Sequence, residues 1–228
     1  MRSKEHWIKE LGEDWTMSLR DTLKSPYMDK LMNFIAIEYS LNSLYPFNSK
    51  NIFEPLKNCP LNKVEIVVVV KEPEINISTL PSLYGGNTLD PQYNIAYQHI
   101  RKRVENDFYN GLILDFDYSL QHWANQGVLV LPLSLTTRKH QSGSHLKQWN
   151  KFIHATISTI CTHKPDTIFF LWGTEAQELM PMLKHQHVFT ADDPALLRDI
   201  RFEWQCDNFK KANKIREQLY GKGFQISW

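Results

Sequence analysis

The chain has 228 residues, 42% of them hydrophobic and 22% charged, which is a globular balance and fits neither a disordered chain nor a coiled coil. Lysine and arginine number 26 against 25 acidic residues, so any basic surface for nucleic acid must be local. No apolar run reaches the roughly 20 residues needed to cross a bilayer, and the polar start Met1-Arg2-Ser3-Lys4 is unlike a signal peptide, so a cytoplasmic protein is expected. Cys59, Cys161 and Cys206 are scattered without a Cys-x-x-Cys pair, which points to reduced thiols rather than a disulfide framework or a zinc site.

Along residues 1–45 the apolar positions Trp7, Leu11, Leu31, Phe34 and Ile35 follow helical spacing, broken at Ser25-Pro26, and predict two helices. A proline-punctuated loop with one helical turn leads to Val64–Val70. That β-branched run has no polar alternation, as expected of a strand buried on both faces. A turn-rich stretch containing Gly85-Gly86 follows, then a helix over Tyr93–Phe108. Gly127–Pro132 and Thr167–Trp172 read as two more buried strands, His187–Thr190 as a fourth, and Phe202–Tyr220 as a final helix. Strands spaced by helices predict an α/β fold: a central, mainly parallel four-stranded sheet with helices on both faces, in a single domain over 1–228. Ligands of such sheets sit beyond the carboxyl ends of the strands. That selects Lys71–Asn76, Pro132–Ser134, Gly173–Glu175 and Ala191–Leu197 as converging loops.

Several of these segments resemble uracil-DNA glycosylase of family 1. Trp123-Ala-Asn-Gln-Gly-Val-Leu-Val-Leu is similar to that family's W-A-x-Q-G-V-L-L-L-N. Leu135-Thr136, Arg138 and Ser144-His145 follow its L-T-V-R…S-H. Leu171-Trp172-Gly173 with Ala176-Gln177, Asn208-Phe209-Lys210-Lys211-Ala212-Asn213 and the terminal Ile226-Ser227-Trp228 follow in the same order. The resemblance implies a DNA glycosylase acting on double-stranded DNA as a monomer, with no cofactor and no metal.

The departures fall where that family does its chemistry. Its water-activating G-Q-D-P-Y-H corresponds to Val70-Lys71-Glu72-Pro73-Glu74-Ile75, placing Glu72 at the catalytic aspartate and Glu74 at the tyrosine that excludes C5 substituents. The uracil-reading asparagine is Pro132, whose side chain neither donates nor accepts. The H-P-S-P-L-S loop is Asp193-Pro194-Ala195-Leu196-Leu197-Arg198, which leaves Leu197 as the duplex wedge and Asp193 in place of the histidine. Gln92, Ala195 and Arg198 replace serines that grip the DNA backbone.

These positions imply Glu72 and Asp193 as catalytic residues: a carboxylate to steady the oxocarbenium-like sugar and orient water, and an acid to protonate the departing base. Lys71, Glu74, Asn76, Tyr84 and Pro132 would line the base pocket, with Tyr84 as the stacking face. Leu197, Arg198, Arg138, Lys139 and Lys210 would meet DNA, with Lys211 beside them. Plainer readings stand beside each: Glu72 as a solvent-facing strand end, Asp193 as a helix cap, Glu74 and Asn76 as a loop exposed to water, Tyr84 as a packed aromatic, Leu197 as helix packing with Leu196 as the competing wedge, Lys210 and Lys211 as the wet face of the last helix, and His145 and His185 as structural histidines. Three functions follow. The first is excision of a pyrimidine with a bulky C5 group, as in bacterial antiviral glycosylases that remove α-glucosylated hydroxymethylcytosine from T-even phage DNA. The second is a catalytically silent DNA- or protein-binding module, and the third is ordinary uracil excision.

Overall fold

The computed structural model describes residues 8–41, 44–46, 48–72, 95–112, 115–139 and 141–228. Four parallel strands form the sheet in the order β3-β2-β5-β6: β2 (Ile66–Val70), β3 (Val128–Pro132), β5 (Ile168–Trp172) and β6 (His187–Ala191). Val69 pairs with Leu131 on one side and Leu171 on the other, and Trp172 pairs with Ala191. The β-branched β2 therefore lies in the interior of the sheet, as its unbroken apolar run requires. Pro132 ends the edge strand β3 opposite Val70, where a residue without an N–H costs the ladder least. A separate two-residue antiparallel ribbon joins β1 (Leu44–Tyr45) to β4 (Thr137–Arg138).

Strand periodicity divides the core. Val67, Val69, Leu129, Leu131, Phe169 and Leu171 face one layer, built from the N-terminal helices α1 (Glu13–Ser18), α2 (Arg20–Lys24) and α3 (Pro26–Ser40), with α4 (Glu54–Asn58) and α7 (Leu146–His163). Ile66, Val68, Val128, Val130, Ile168, Phe170 and Trp172 face the other. There they meet α5 (Ile95–Phe108), α6 (Gln121–Asn125), α9 (Asn208–Tyr220) and the terminal Trp228. The short α8 (Thr174–Gln177) follows β5 directly.

The expected break at Ser25-Pro26 separates α2 from α3. Ser25 accepts a hydrogen bond from the Met28 N–H and Pro26 occupies the first turn, a helix start and not merely an interruption. Two readings need correction. The 18-residue α7 was not singled out in the sequence, although Trp149, Phe152, Ile153, Thr156, Ile157 and Ile160 give it a buried helical stripe. The last helix begins at Asn208, not Phe202: residues 202–207 are irregular, and the buried Trp204 donates from its indole to the Asp192 carbonyl, holding this stretch against the end of β6. No described helix is long and apolar enough to cross a membrane.

Candidate active site

The carboxyl ends of β2, β5 and β6 bring together Lys71 and Glu72, then Gly173 to Glu175, then Asp193, all half-buried apart from the buried Gly173 and the exposed Thr174. A fourth contributor, Gly143, comes from the loop between β4 and α7. Its backbone N–H donates to Glu72 Oε2 across 2.6 Å, fixing one carboxylate oxygen. Gly143 has φ +74°, and a Cβ there would sit 3.2 Å from Leu146 Cδ1 and 3.6 Å from Lys71 Cε, so conformation and space both call for glycine.

Lys71 Nζ lies 2.6 Å from Glu175 Oε1. This hydrogen-bonded pair holds the Lys71 ammonium above its ordinary pKa and the Glu175 carboxyl below its own, so both stay charged. Asp193 is positioned twice. Its Oδ1 accepts from the Ala195 N–H at 2.9 Å, and its Cβ would approach a Cβ on Gly173 to 3.1 Å, which the φ of +90° at Gly173 also forbids. Burial pushes the Asp193 carboxyl upward, the Ala195 hydrogen bond opposes this, and the negative Glu175 and Glu72 add to the rise. A carboxyl whose proton affinity is raised thus stands near an ionised carboxylate and an ammonium. Paired groups of opposed proton affinity are what acid-assisted hydrolysis uses.

The loop carrying Gly143 is braced from below. The Arg138 N–H donates to Ser144 Oγ at 2.8 Å, and Ser144 Oγ lies 3.2 Å from Thr137 Oγ1. His145 is fully buried, with Nδ1 2.9 Å from Thr136 Oγ1, which itself accepts from the Trp149 indole at 2.7 Å. The other ring nitrogen, Nε2, faces Glu38 Oε2 at 3.6 Å. Burial lowers the His145 pKa, against the pull of Glu38. Glu38 is buried and accepts from Arg138 Nε at 2.7 Å and Nη2 at 2.5 Å, which keeps its carboxyl below the ordinary value.

Among the sequence candidates, Lys71, Glu72 and Asp193 meet at one crevice. Pro132 is buried at the end of β3, beside β2. Asp193 also caps the 3₁₀ turn Pro194–Leu196, so the plainer reading of that residue holds together with its place in the crevice. Leu197 is half-buried against the α5/α9 core and its carbonyl lies 3.0 Å from His99 Nε2, whereas the neighbouring Leu196, the competing candidate for the wedge, is 75% exposed. Arg138 is engaged by Glu38, and Lys210 pairs at 2.9 Å with Asp107, whose side chain is 2% exposed. Lys211 pairs with Asp207. Both lysines thus belong to the packing and ion pairs of α9. Arg198 and Lys139 are exposed, and His185 is a surface residue, not a buried structural one. Glu74, Asn76, Tyr84 and Gln92 lie outside the described residues.

Sequence reasoning missed three contributors. Glu175 stood in a loop already expected to converge. Gly143 sat between Ser142 and Ser144 in turn chemistry, and Glu38 interrupts the apolar helical stripe of Leu31 and Ile35, a readable sign of a buried partner.

No family model matches the chain. It is 32% identical over 214 residues to a uracil-DNA glycosylase of Agathobacter rectalis, covering 91% of this chain and 93% of that one. It is 31% identical over 211 residues to that of Lachnoclostridium phytofermentans, covering 90% and 92%. Its fold superposes on the crystal structure of mimivirus uracil-DNA glycosylase with a TM-score of 0.78 over 97% of this chain and 88% of that one, at 17% identity. The UNG structure from Nitratifractor salsuginis gives 0.61 at 15% identity, covering both chains fully. With that identity running along nine-tenths of both sequences, and the same sheet carrying a carboxylate at the end of β2, the chain belongs to the uracil-DNA glycosylase family.

Proposed function

We propose that this family member is a monofunctional DNA N-glycosylase that flips out and hydrolyses a pyrimidine with a bulky C5 substituent. The substrate that suits the residues best is α-glucosylated 5-hydroxymethylcytosine of phage DNA, in an antiviral setting. The observation that carries this is the pairing of Glu72, anchored by Gly143 at the end of β2, with Asp193 beyond β6, whose proton affinity burial raises, while β3 ends in Pro132 where a uracil reader would need an amide.

As the N-glycosidic bond lengthens, its electron pair moves onto the base and positive charge builds on the sugar. Glu72 steadies that charge and orients water, whose oxygen bonds to C1′ while its proton passes to the carboxylate. The Asp193 proton goes to the departing base, as a cytosine-type leaving group requires. The products are the free base and an abasic site. Lys71 takes no covalent part, because Glu175 keeps it an ammonium.

A second reading, a binding module without catalysis, is favoured by one detail: the Glu72–Gly143 hydrogen bond would serve equally well as a purely structural brace. The test is abasic-site release from matched duplexes carrying uracil, thymine, hydroxymethylcytosine or its α-glucosylated form, with wild type and Glu72→Gln in parallel. Release from the glucosylated duplex alone, lost in the variant, supports the proposal. DNA binding without release supports the silent module, and release of uracil alone overturns both.

A further inference from the structure

Over the middle of the strand-end crevice, between Pro132 on β3 and Asp193 beyond β6, stands the ion pair formed by Lys71 at the end of β2 and Glu175 after β5. The side chains are 30% and 35% exposed, so the pair is partly open to solvent at the strand ends. We propose that this pair reads the polar edge of the flipped base and selects a pyrimidine bearing an exocyclic amine over one bearing a 4-carbonyl. The inference rests on the reading above that a flipped base enters this crevice.

Pro132 offers no side-chain donor or acceptor, so any hydrogen-bonding readout of the base must come from other groups at the strand ends. A carboxylate only accepts and an ammonium only donates. Glu175 therefore suits an N–H₂ group, and Lys71 suits the carbonyl or ring nitrogen beside it. Thr174 Oγ1 donates to Glu175 Oε2 at 3.0 Å and steadies the carboxylate against rotation. A cytosine-type edge satisfies both groups. In the same register a uracil- or thymine-type edge sets its 4-carbonyl against the Glu175 carboxylate and its N3–H against the Lys71 ammonium, so neither meets its complement, and sites built around polar partners reject such mismatches strongly.

The test separates binding from hydrolysis. Duplexes carry 2′-fluoroarabino 5-hydroxymethylcytidine or 5-hydroxymethyluridine opposite a tetrahydrofuran abasic analogue, so that neither base-pair strength nor cleavage enters. Wild type should bind the cytosine form about tenfold or more tightly than the uracil form. Glu175→Gln, whose amide both donates and accepts, should bring that ratio close to one. Glu175→Asp should restore part of it, and Lys71→Met should weaken both affinities while keeping the preference. Equal binding of the two duplexes by wild type, a ratio unchanged in Glu175→Gln, or no binding above that of an unmodified duplex would each overturn the proposal. Abasic-site release from the 2′-deoxy duplex carrying α-glucosylated 5-hydroxymethylcytosine, run in parallel, tells the two failures apart. A base preference without release removes the glycosylase reading and leaves the edge reading standing, whereas release without a preference does the reverse.

Discussion

The backbone N–H of Gly143 donates to Glu72 Oε2 at 2.6 Å, tying the strand-end carboxylate to a loop 71 residues further along the chain. The loop is itself fixed through Ser144, His145 and Arg138, so the orientation of Glu72 depends on groups that never approach a substrate. Misplacement of a catalytic group by about 1 Å can cost ~10²-fold in rate, and this brace sets the position of the longer glutamate side chain.

Replacing Gly143 by alanine is expected to lower stability by about 1 kcal/mol through the φ of +74°. Abasic-site release should fall by far more than that, because the N–H turns away from Glu72. Glu72→Gln should abolish release by roughly 10²-fold or more with little change in melting temperature. Melting curves beside single-turnover rates check both, and a fall in rate no larger than the stability loss explains would count against positioning.

Asp193 gives a pH signature. Its folded-state pKa is raised above the ordinary 3.8, so its contribution to stability is fully present below that pH and is lost as the pH rises through the raised value. Asp193→Asn can still accept from the Ala195 N–H and has no charge to desolvate. The variant should therefore melt above wild type at neutral pH, with the gap closing toward pH 4. Its glycosylase rate should be lower and should lose the fall with rising pH that an acid catalyst imposes. Thermal melts and rate profiles from pH 4 to 8 decide both.

His145 runs the other way. Burial lowers its pKa below 6.5, so its contribution is present above pH 6.5 and is lost as the pH falls through the lowered value. Relative to wild type, His145→Gln should lose less stability on acidification through that window. Melting temperatures of the two proteins at closely spaced pH values below 6.5 test this, and parallel curves would refute it.

The two adjacent leucines should separate cleanly. Leu196→Ala removes a side chain that is 75% exposed, so stability should stay within ~0.5 kcal/mol while engagement of a flipped-base duplex weakens. Leu197→Ala removes core contacts and should cost about 1–2 kcal/mol, with DNA affinity changed less. Denaturant titration together with duplex binding distinguishes them.

Arg198 and Arg138 differ for an electrostatic reason. Arg198 is exposed, so neutralising it should flatten the salt dependence of DNA binding by about one phosphate contact. Arg138→Gln should leave the salt slope nearly unchanged and lower stability, because its guanidinium already serves the buried Glu38. Binding isotherms at several salt concentrations check the contrast.

Much of this molecule could be read from the chain itself. Unbroken apolar runs at Val64–Val70, Gly127–Pro132 and Thr167–Trp172 declare buried parallel strands, since only two covered faces tolerate them. The loops at their carboxyl ends, with Lys71, Glu72 and Asp193, follow from that topology. Local patterns locate such groups but carry no information about which distant backbone N–H or charge each will meet.

Tertiary structure decided those partners. Gly143 on Glu72, Glu175 on Lys71 and Glu38 beneath Arg138 and His145 are contacts between residues 71 to 107 positions apart, formed only when the sheet closes and the loop before α7 folds onto its edge. It also set Leu196 and Leu197 apart, because the turn capped by Asp193 fixes which of two neighbouring side chains packs against the core and which is exposed. The sequence by itself determined the sheet, the order of its strands along the chain and the chemistry available at their ends. Burial and long-range hydrogen bonding determined which of those groups gain proton affinity, which stay charged and which are held in place.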